Sequence, residues 1–278
     1  YVYAITNMPA YLNKSEVVLP SIQAGGFVMC VKATDIYYSN YTDYSYAFTN
    51  IVALNVKNPD DPISLETLLL GATSSLYVST DNIFVTSPRY QEKPSGGTYG
   101  TMIHKIRIDR GKITYVADGF VPGWVLNQFS MDEHDGYFRI ATTIGHAWDR
   151  SKSKNNVYIL DSNLNIVGRV EGLAPGEEIY SARFMGDRCY LVTFRKVDPL
   201  FVIDLQDPLE PRVLGKLKIP GYSDYLHPYD EDHLIGVGKE TVDAEEGDFS
   251  WYQGVKISLF DVSDVENPIE IAKYAIGD

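Results

Sequence analysis

Short runs in which apolar residues alternate with polar ones, or stand unbroken for a few positions, follow one another along most of the chain: IVALNV, SLYVS, NIFVTS, MIHKIRI, KITYVA, YFRIATT, NVYIL, RCYLVTF, LFVIDL, HLIGVG and VKISLFDV. A period of two puts successive side chains on opposite faces of a pleated strand, and the three-and-four spacing of a helix is nearly absent. The pattern predicts an all-β chain. Its strands end in similar turns: IVALNVKNPDDP, LFVIDLQDPLEP and ISLFDVSDVENP each pass from an apolar run to Asn or Asp and then Pro. Pro presets φ and Asn or Asp bonds its own backbone, so each marks a hairpin. MIHKIRIDRGK and NNVYILDSNLN fill the same place with Gly or Asn.

The turns recur. Their apolar markers Val56, Ile108, Leu160, Leu205 and Val262 are about 52, 52, 45 and 57 residues apart. Pro122-Gly123, Pro175-Gly176 and Pro220-Gly221 repeat behind them at about 53 and 45 residues. Each repeat reads as strands A to D, with a tight turn from A to B and a longer connection from B to C. Radial repetition of such units is a β-propeller of four-stranded antiparallel blades; a β-sandwich would not explain internal copies. The chain is expected to form a single propeller domain over residues 1–278, with about four full blades and a first one lacking its A strand. An arc of a larger ring is favoured over a closed ring of five.

The A-to-B turns align as STDNIF, SMDEHDGYF, FMGDRCY and PYDEDHL, which places the acidic runs at Met131–Ile140 and Tyr229–Val237 in turn positions. They read as solvated hairpin tips, since Asp, Asn and Gly tolerate left-handed φ. Calcium at Asp132, Glu133 and Asp135 is the competing reading, because hard cations take several oxygen ligands. No other cofactor is expected.

A net charge of −13 argues against nucleic acid as partner, which would require a basic face. No apolar run is long enough to span a bilayer. The opening YVYAIT has neither an initiator Met nor a signal pattern and reads as a piece cut from something longer. Cys30 and Cys189 lack metal or redox spacing and read as unpaired core thiols. Asn13-Lys14-Ser15 and Asn40-Tyr41-Thr42 match the glycosylation sequon.

Three stretches, PGWVLNQFSMDEHDGYFRIATT, GEEIYSARFMGDRCYLVTFRKVDPLFVIDLQDP, and IPGYSDYLHPYDEDHLIGVGKET followed by GVKISLFDVSDVENP, resemble a family of secreted archaeal and bacterial proteins with a C-terminal β-propeller distantly related to WD repeats. ATDIYYSNYTDYSYAFTNIVALNV resembles it more loosely. The resemblance implies a propeller and an extracellular or cell-envelope location. It implies no reaction.

Function is then sought on the face carrying the long connections Asn7–Ala47, Ser87–Gly100, Gly145–Asn155 and Glu240–Gly254. The first is rich in Tyr, and Tyr37, Tyr38, Tyr41, Tyr44 and Tyr46, with Trp251 and Tyr252 on the last, are the candidate ligand-binding residues. Such rings give contact area at low entropic cost, but they also anchor long loops. Tyr77, Gln128, Arg183 and His227 share one register of the A strands and are candidates to line the central channel, where Arg and His suit a carboxylate or sulfate. The chain carries no Gly-x-Ser-x-Gly, His-Glu-x-x-His or phosphate-binding glycine loop, so no catalytic residue is named. The expected function is a non-catalytic module binding protein or glycan at the cell surface, or self-associating there. The alternative is an extracellular hydrolase of glycans or peptides with its site at the channel mouth.

Overall fold

The structure is a computed structural model that describes residues 1–277 apart from 25–26, 39–45, 59, 92–96, 147–148, 195–196 and 244–249; at Tyr252 and some other strand residues it describes the backbone alone. It comprises two compact units, Tyr1–Phe120 and Val121–Asp278.

The first unit opens with β1 (Val2–Pro9), the small hairpins β2 (Leu12–Asn13) with β3 (Glu16–Val17) and β4 (Ser21–Ala24) with β5 (Phe27–Cys30), then β6 (Ile36–Tyr38), β7 (Tyr46–Leu54) and β8 (Ser64–Gly71). Sheet I has the order β1-β7-β8-β6. Among the described residues it has no strand in the A place, as the pattern predicted. Its fourth strand is instead β6, which comes from the Tyr-rich connection and runs parallel to β8 at the far edge. Sheet II consists of β9 (Ser75–Val78), β10 (Asn82–Gln91), β11 (Thr98–Asp109) and β12 (Lys112–Pro122). Ile51, Leu68 and Leu70 of sheet I pack with Ile83, Val85, Ile106 and Ile108 of sheet II, all nearly or fully out of water.

The second unit holds three further sheets. Sheet III comprises β13 (Trp124–Val125), β14 (Met131–His134), β15 (Tyr137–His146), β16 (Asp149–Leu160) and β17 (Ile166–Leu173). Sheet IV comprises β18 (Glu178–Met185), β19 (Arg188–Phe194), β20 (Val197–Asp204) and β21 (Arg212–Pro220). Sheet V comprises β22 (Tyr222–Pro228), β23 (His233–Asp243), β24 (Ser250–Asp261) and β25 (Ile269–Ile276). The period-two pattern of RCYLVTF serves both faces of sheet IV at once. Cys189 and Leu191 join the core shared with Val157 and Ile159 of sheet III, while Tyr190 and Val192 join that shared with Leu226, Leu234 and Phe260 of sheet V. A strand buried on both faces must be apolar at every position, and this one nearly is.

Three details go beyond the pattern. Three of the connections expected as surface loops are largely arms of the B–C hairpins, with pairing that continues to Gln91↔Thr98, His146↔Asp149 and Asp243↔Ser250, whereas in the first it stops at Pro9↔Ala47 and leaves the small hairpins and β6 beyond. The Pro-Gly markers are left-handed corners, with φ of +89° at Gly123, +87° at Gly176 and +85° at Gly221, a conformation only Gly adopts without cost. Of the two unpaired thiols only Cys189 is buried, which pushes it up to about 12; Cys30, expected in the core, is exposed because it ends the small hairpin of β4 and β5.

Sheet-to-sheet contact in the second unit uses a repeated close approach. Gly168 on β17 lies against the carbonyl of Pro208, and Gly215 on β21 against those of Val265 and Glu266, in each case the C-to-D turn of the next sheet. A Cβ at Gly215 would come within 2.6 Å of the Glu266 carbonyl oxygen and closer still to that of Val265. Gly215→Ala is therefore expected to cost about 1–3 kcal/mol through forced separation of backbones. Urea unfolding followed by tryptophan fluorescence checks it; unchanged stability would mean that the two sheets do not meet here.

Candidate functional site

The acidic turns resolve into structural parts. Asp135 and Gly136 both have left-handed φ, +49° and +82°, as a two-residue hairpin turn between β14 and β15 requires. Asp132 accepts two hydrogen bonds from Arg139, one from Nε at 3.0 Å and a shorter one from Nη2. Arg139 also donates from Nη1 to the Gly186 carbonyl at 2.7 Å and lies over the Phe184 ring. In three other A-to-B turns it is the Asp carbonyl that works. Asp81, Asp187 and Asp232 accept at 2.8 Å from the N–H of Ile108, Leu205 and Val262, the apolar markers of the repeat. Asp230 accepts from the Asp232 N–H and from His233, which holds its carboxyl below the usual range. Among the described residues, no group of three or more His, Cys, Asp or Glu is placed to hold a metal ion. A cleft of about 900 Å³ lies between turns of sheets IV and V, and of its carboxylates Asp204 is taken by Arg212 and Asp230 by His233.

The aromatic candidates divide by environment. Tyr37 stacks on Tyr115 at 3.5 Å between ring centroids, so it pins β6 to sheet II. Tyr38 beside it is 67% exposed, and Trp251 on β24 is 60% exposed. Tyr46 begins β7 and is about one-third exposed. Tyr41 and Tyr44 lie outside the described residues, and of Tyr252 only the backbone is described, paired with Thr241.

The channel candidates are rearranged in the second unit. The A strand of sheet III is broken by a 3-10 turn at Gln128–Ser130, capped by Asn127, whose side chain accepts from the Phe129 N–H at 2.9 Å. Gln128 is consequently not on a strand. Its neighbour Phe129 makes the contacts between sheets: the Arg183 guanidinium lies over its ring at 5.4 Å, and the Tyr225 ring meets it edge-on at 5.2 Å. The Tyr225 hydroxyl is 3.1 Å from His227 Nδ1. Arg183 and His227 thus flank an aromatic pair drawn from sheets III and V, and neither ring carried a signal in the aligned register. In the first unit, Tyr77 tilts against Phe84 at 6.1 Å.

Two clusters had no sequence signal. His104 is buried on β11 with Nδ1 2.9 Å from the Tyr115 hydroxyl, and burial pulls it down to about 4 against the attraction of Asp118. Glu66 on β8 has its carboxyl raised, first by burial and then by Asp35. The first joins neighbouring strands β11 and β12, and the second joins residues 31 apart in the chain.

Repeated antiparallel four-stranded sheets whose inner strands adjoin define a β-propeller, and the chain belongs to the Beta propeller domain family, which matches it over residues 1–278. Among its relatives, an uncharacterized protein of Methanocaldococcus jannaschii is 51% identical over 177 residues, covering 64% of this chain and 26% of the relative. One of Archaeoglobus fulgidus is 44% identical over 176 residues, 63% of this chain and 26% of that protein. The chain thus spans about a quarter of the length of these relatives. Among solved structures, a neuraminidase-like protein of subtype N10 from A/little yellow-shouldered bat/Guatemala aligns with a TM-score of 0.43 at 11% identity, over 99% of this chain and 87% of that one. Cobalt-substituted Synechocystis ACO aligns at 0.42 and 10%, over 84% and 57%. Likeness at this level carries nothing about activity.

Proposed function

We propose that the chain is a non-catalytic binding module of an extracellular or cell-envelope protein, which engages a protein or glycan through exposed aromatic side chains on its hairpin arms. The observation that carries this reading is the exposure of Trp251, at 60%, on the arm formed by β23 and β24. A large ring exposed on a paired strand contributes contact area with little side-chain entropy to lose on binding. Tyr38, equally exposed at the edge of sheet I, supports it. An outside location is supported by Asn13, which stands exposed in the hairpin of β2 and β3 within a glycosylation sequon.

The purified chain, probed on arrays of glycans and of cell-surface proteins, is expected to bind members of one class. Trp251→Ala is expected to weaken that binding about tenfold or more, as loss of a central anchor does. Binding that ignores both Trp251→Ala and Tyr38→Ala would overturn the reading.

Hydrolysis is the second reading, favoured by the raised carboxyl of Glu66 beside Asp35. Glu66 stands on β8, which is flanked by β7 and β6, and Asp35 ends the 3-10 turn just before the edge strand β6. Release of sugars or peptides by the wild-type chain but not by Glu66→Gln would establish it in place of the first.

A further inference from the structure

We propose that Arg183 forms a carboxylate-binding site, in which its guanidinium grips the anion while the Phe129 and Tyr225 rings support a ring-bearing ligand body. The inference rests on reading the chain as a binding module and names the chemistry of one ligand group.

The first observation is a missing partner. The chain has 37 acidic side chains against 24 Lys and Arg, so an arginine readily finds a carboxylate. Arg110, Arg139, Arg169 and Arg212 each do. Arg183 makes neither an ion pair nor a hydrogen bond among the described residues, although its Nε is buried. A buried donor left unpaired is disfavoured, and an acceptor placed in the guanidinium plane removes that penalty.

The second observation is how the group is held. The guanidinium carbon lies over the Phe129 ring, itself braced by Tyr225, so the group is held by a cation–π contact that uses none of its N–H donors. Two parallel N–H donors of the guanidinium match the two oxygens of a carboxylate better than the tetrahedral oxygens of sulfate. The Ser130 hydroxyl, next to Phe129, is also buried without a partner. His227, hydrogen-bonded to Tyr225, adds a further polar group beside the pair.

Charge limits the ligand further. A net charge of −13 repels polyanions at long range, so the site suits one carboxylate on an otherwise neutral body. The half-buried aromatic pair beside the guanidinium suits a sugar or aromatic ring. A uronic acid and an aromatic acid share this chemistry, and the test separates them.

The whole chain is titrated with glucuronate, benzoate, glucose and sulfate at about 50 mM salt, where screening is modest, by calorimetry and by the NMR signal of the arginine Nε–H. Saturable binding of glucuronate or benzoate is expected, with glucose inert and sulfate weaker. The tighter of the two acids identifies the source. Arg183→Lys, which keeps the charge but loses the fork, is expected to weaken binding about tenfold, and Arg183→Gln to abolish it. Since Arg183 makes no hydrogen bond, both variants are expected to melt with the wild type; if Arg183→Gln does not fold, Arg183→Lys alone decides. Absence of carboxylate binding, glucose binding as well as glucuronate, or Arg183→Lys binding like wild type would overturn the site. Loss of this site with array binding intact would leave the aromatic-arm reading standing.

Discussion

Replacing Arg139 with Met is expected to destabilise the second unit by about 3–5 kcal/mol, the usual result of removing one partner from a buried ion pair. The side chain of Arg139 is 4% exposed and that of Asp132 22% exposed, so the carboxylate left behind has little water to turn to. The loss is compounded because Arg139 also donates to the Gly186 carbonyl, in the A-to-B turn of the next sheet, and covers the Phe184 ring. Met restores the volume but none of the donors. Replacing both partners with apolar residues, as in Asp132→Leu with Arg139→Met, is expected to recover part of the loss, because no buried charge then remains. The three tryptophans, Trp124, Trp148 and Trp251, all lie in the second unit, so their fluorescence during urea unfolding reports on the right part of the molecule. Additive losses in the double variant would show that the pair is not coupled, and with it that Asp132 is not committed to Arg139.

That ion pair also shows where the sequence was legible. The Pro-Gly corners and the turn chemistry of the acidic runs are local properties, written within a few consecutive residues; their recurrence gives the repeat length, and each marks a feature of the sheets. The Asp-Gly of the turn after β14 is an example: its two left-handed residues follow from residue type alone. Contacts between sheets leave no such trace. Nothing in the spacing of Phe129, Arg183 and Tyr225 says that they meet, because each sits on a different repeat and the 3-10 turn at Gln128–Ser130 interrupts the strand. The aligned register therefore held Gln128 and gave no sign of the Phe129 contacts. Likewise, the Tyr-rich segment gave no sign that β6 would pair in parallel with β8, since an edge strand can be supplied from any long connection. Tyr37, taken as a ligand residue by composition, is held by Tyr115 of the next sheet for the same reason.

Lowering the pH from about 6.5 to about 4 is expected to remove about 3 kcal/mol from the stability of the first unit through His104 alone. Burial is the main cause, opposed by Asp118 and assisted by Arg89, and it lowers the folded-state pKa to about 4 against 6.5 when unfolded. Between those values the unfolded chain binds a proton that the native state does not. The contribution is therefore complete above pH 6.5, falls as the pH drops through the window, and is exhausted below about 4. The neutral ring is kept in place by the Tyr115 hydroxyl, whose own proton is retained because burial and Asp118 raise its pKa far above neutrality. Glu66 works in the opposite sense, since a carboxyl raised in the native state gains stability as the pH falls, so the wild-type curve alone mixes the two. The difference between wild type and His104→Gln isolates the histidine. The first unit contains no tryptophan, so unfolding is followed by far-ultraviolet circular dichroism at a series of pH values. A steeper pH dependence in the wild type between 6.5 and 4 is the expected result. Parallel curves would mean that His104 exchanges its proton as freely in the folded chain as in the unfolded one, and so is not buried neutral on β11.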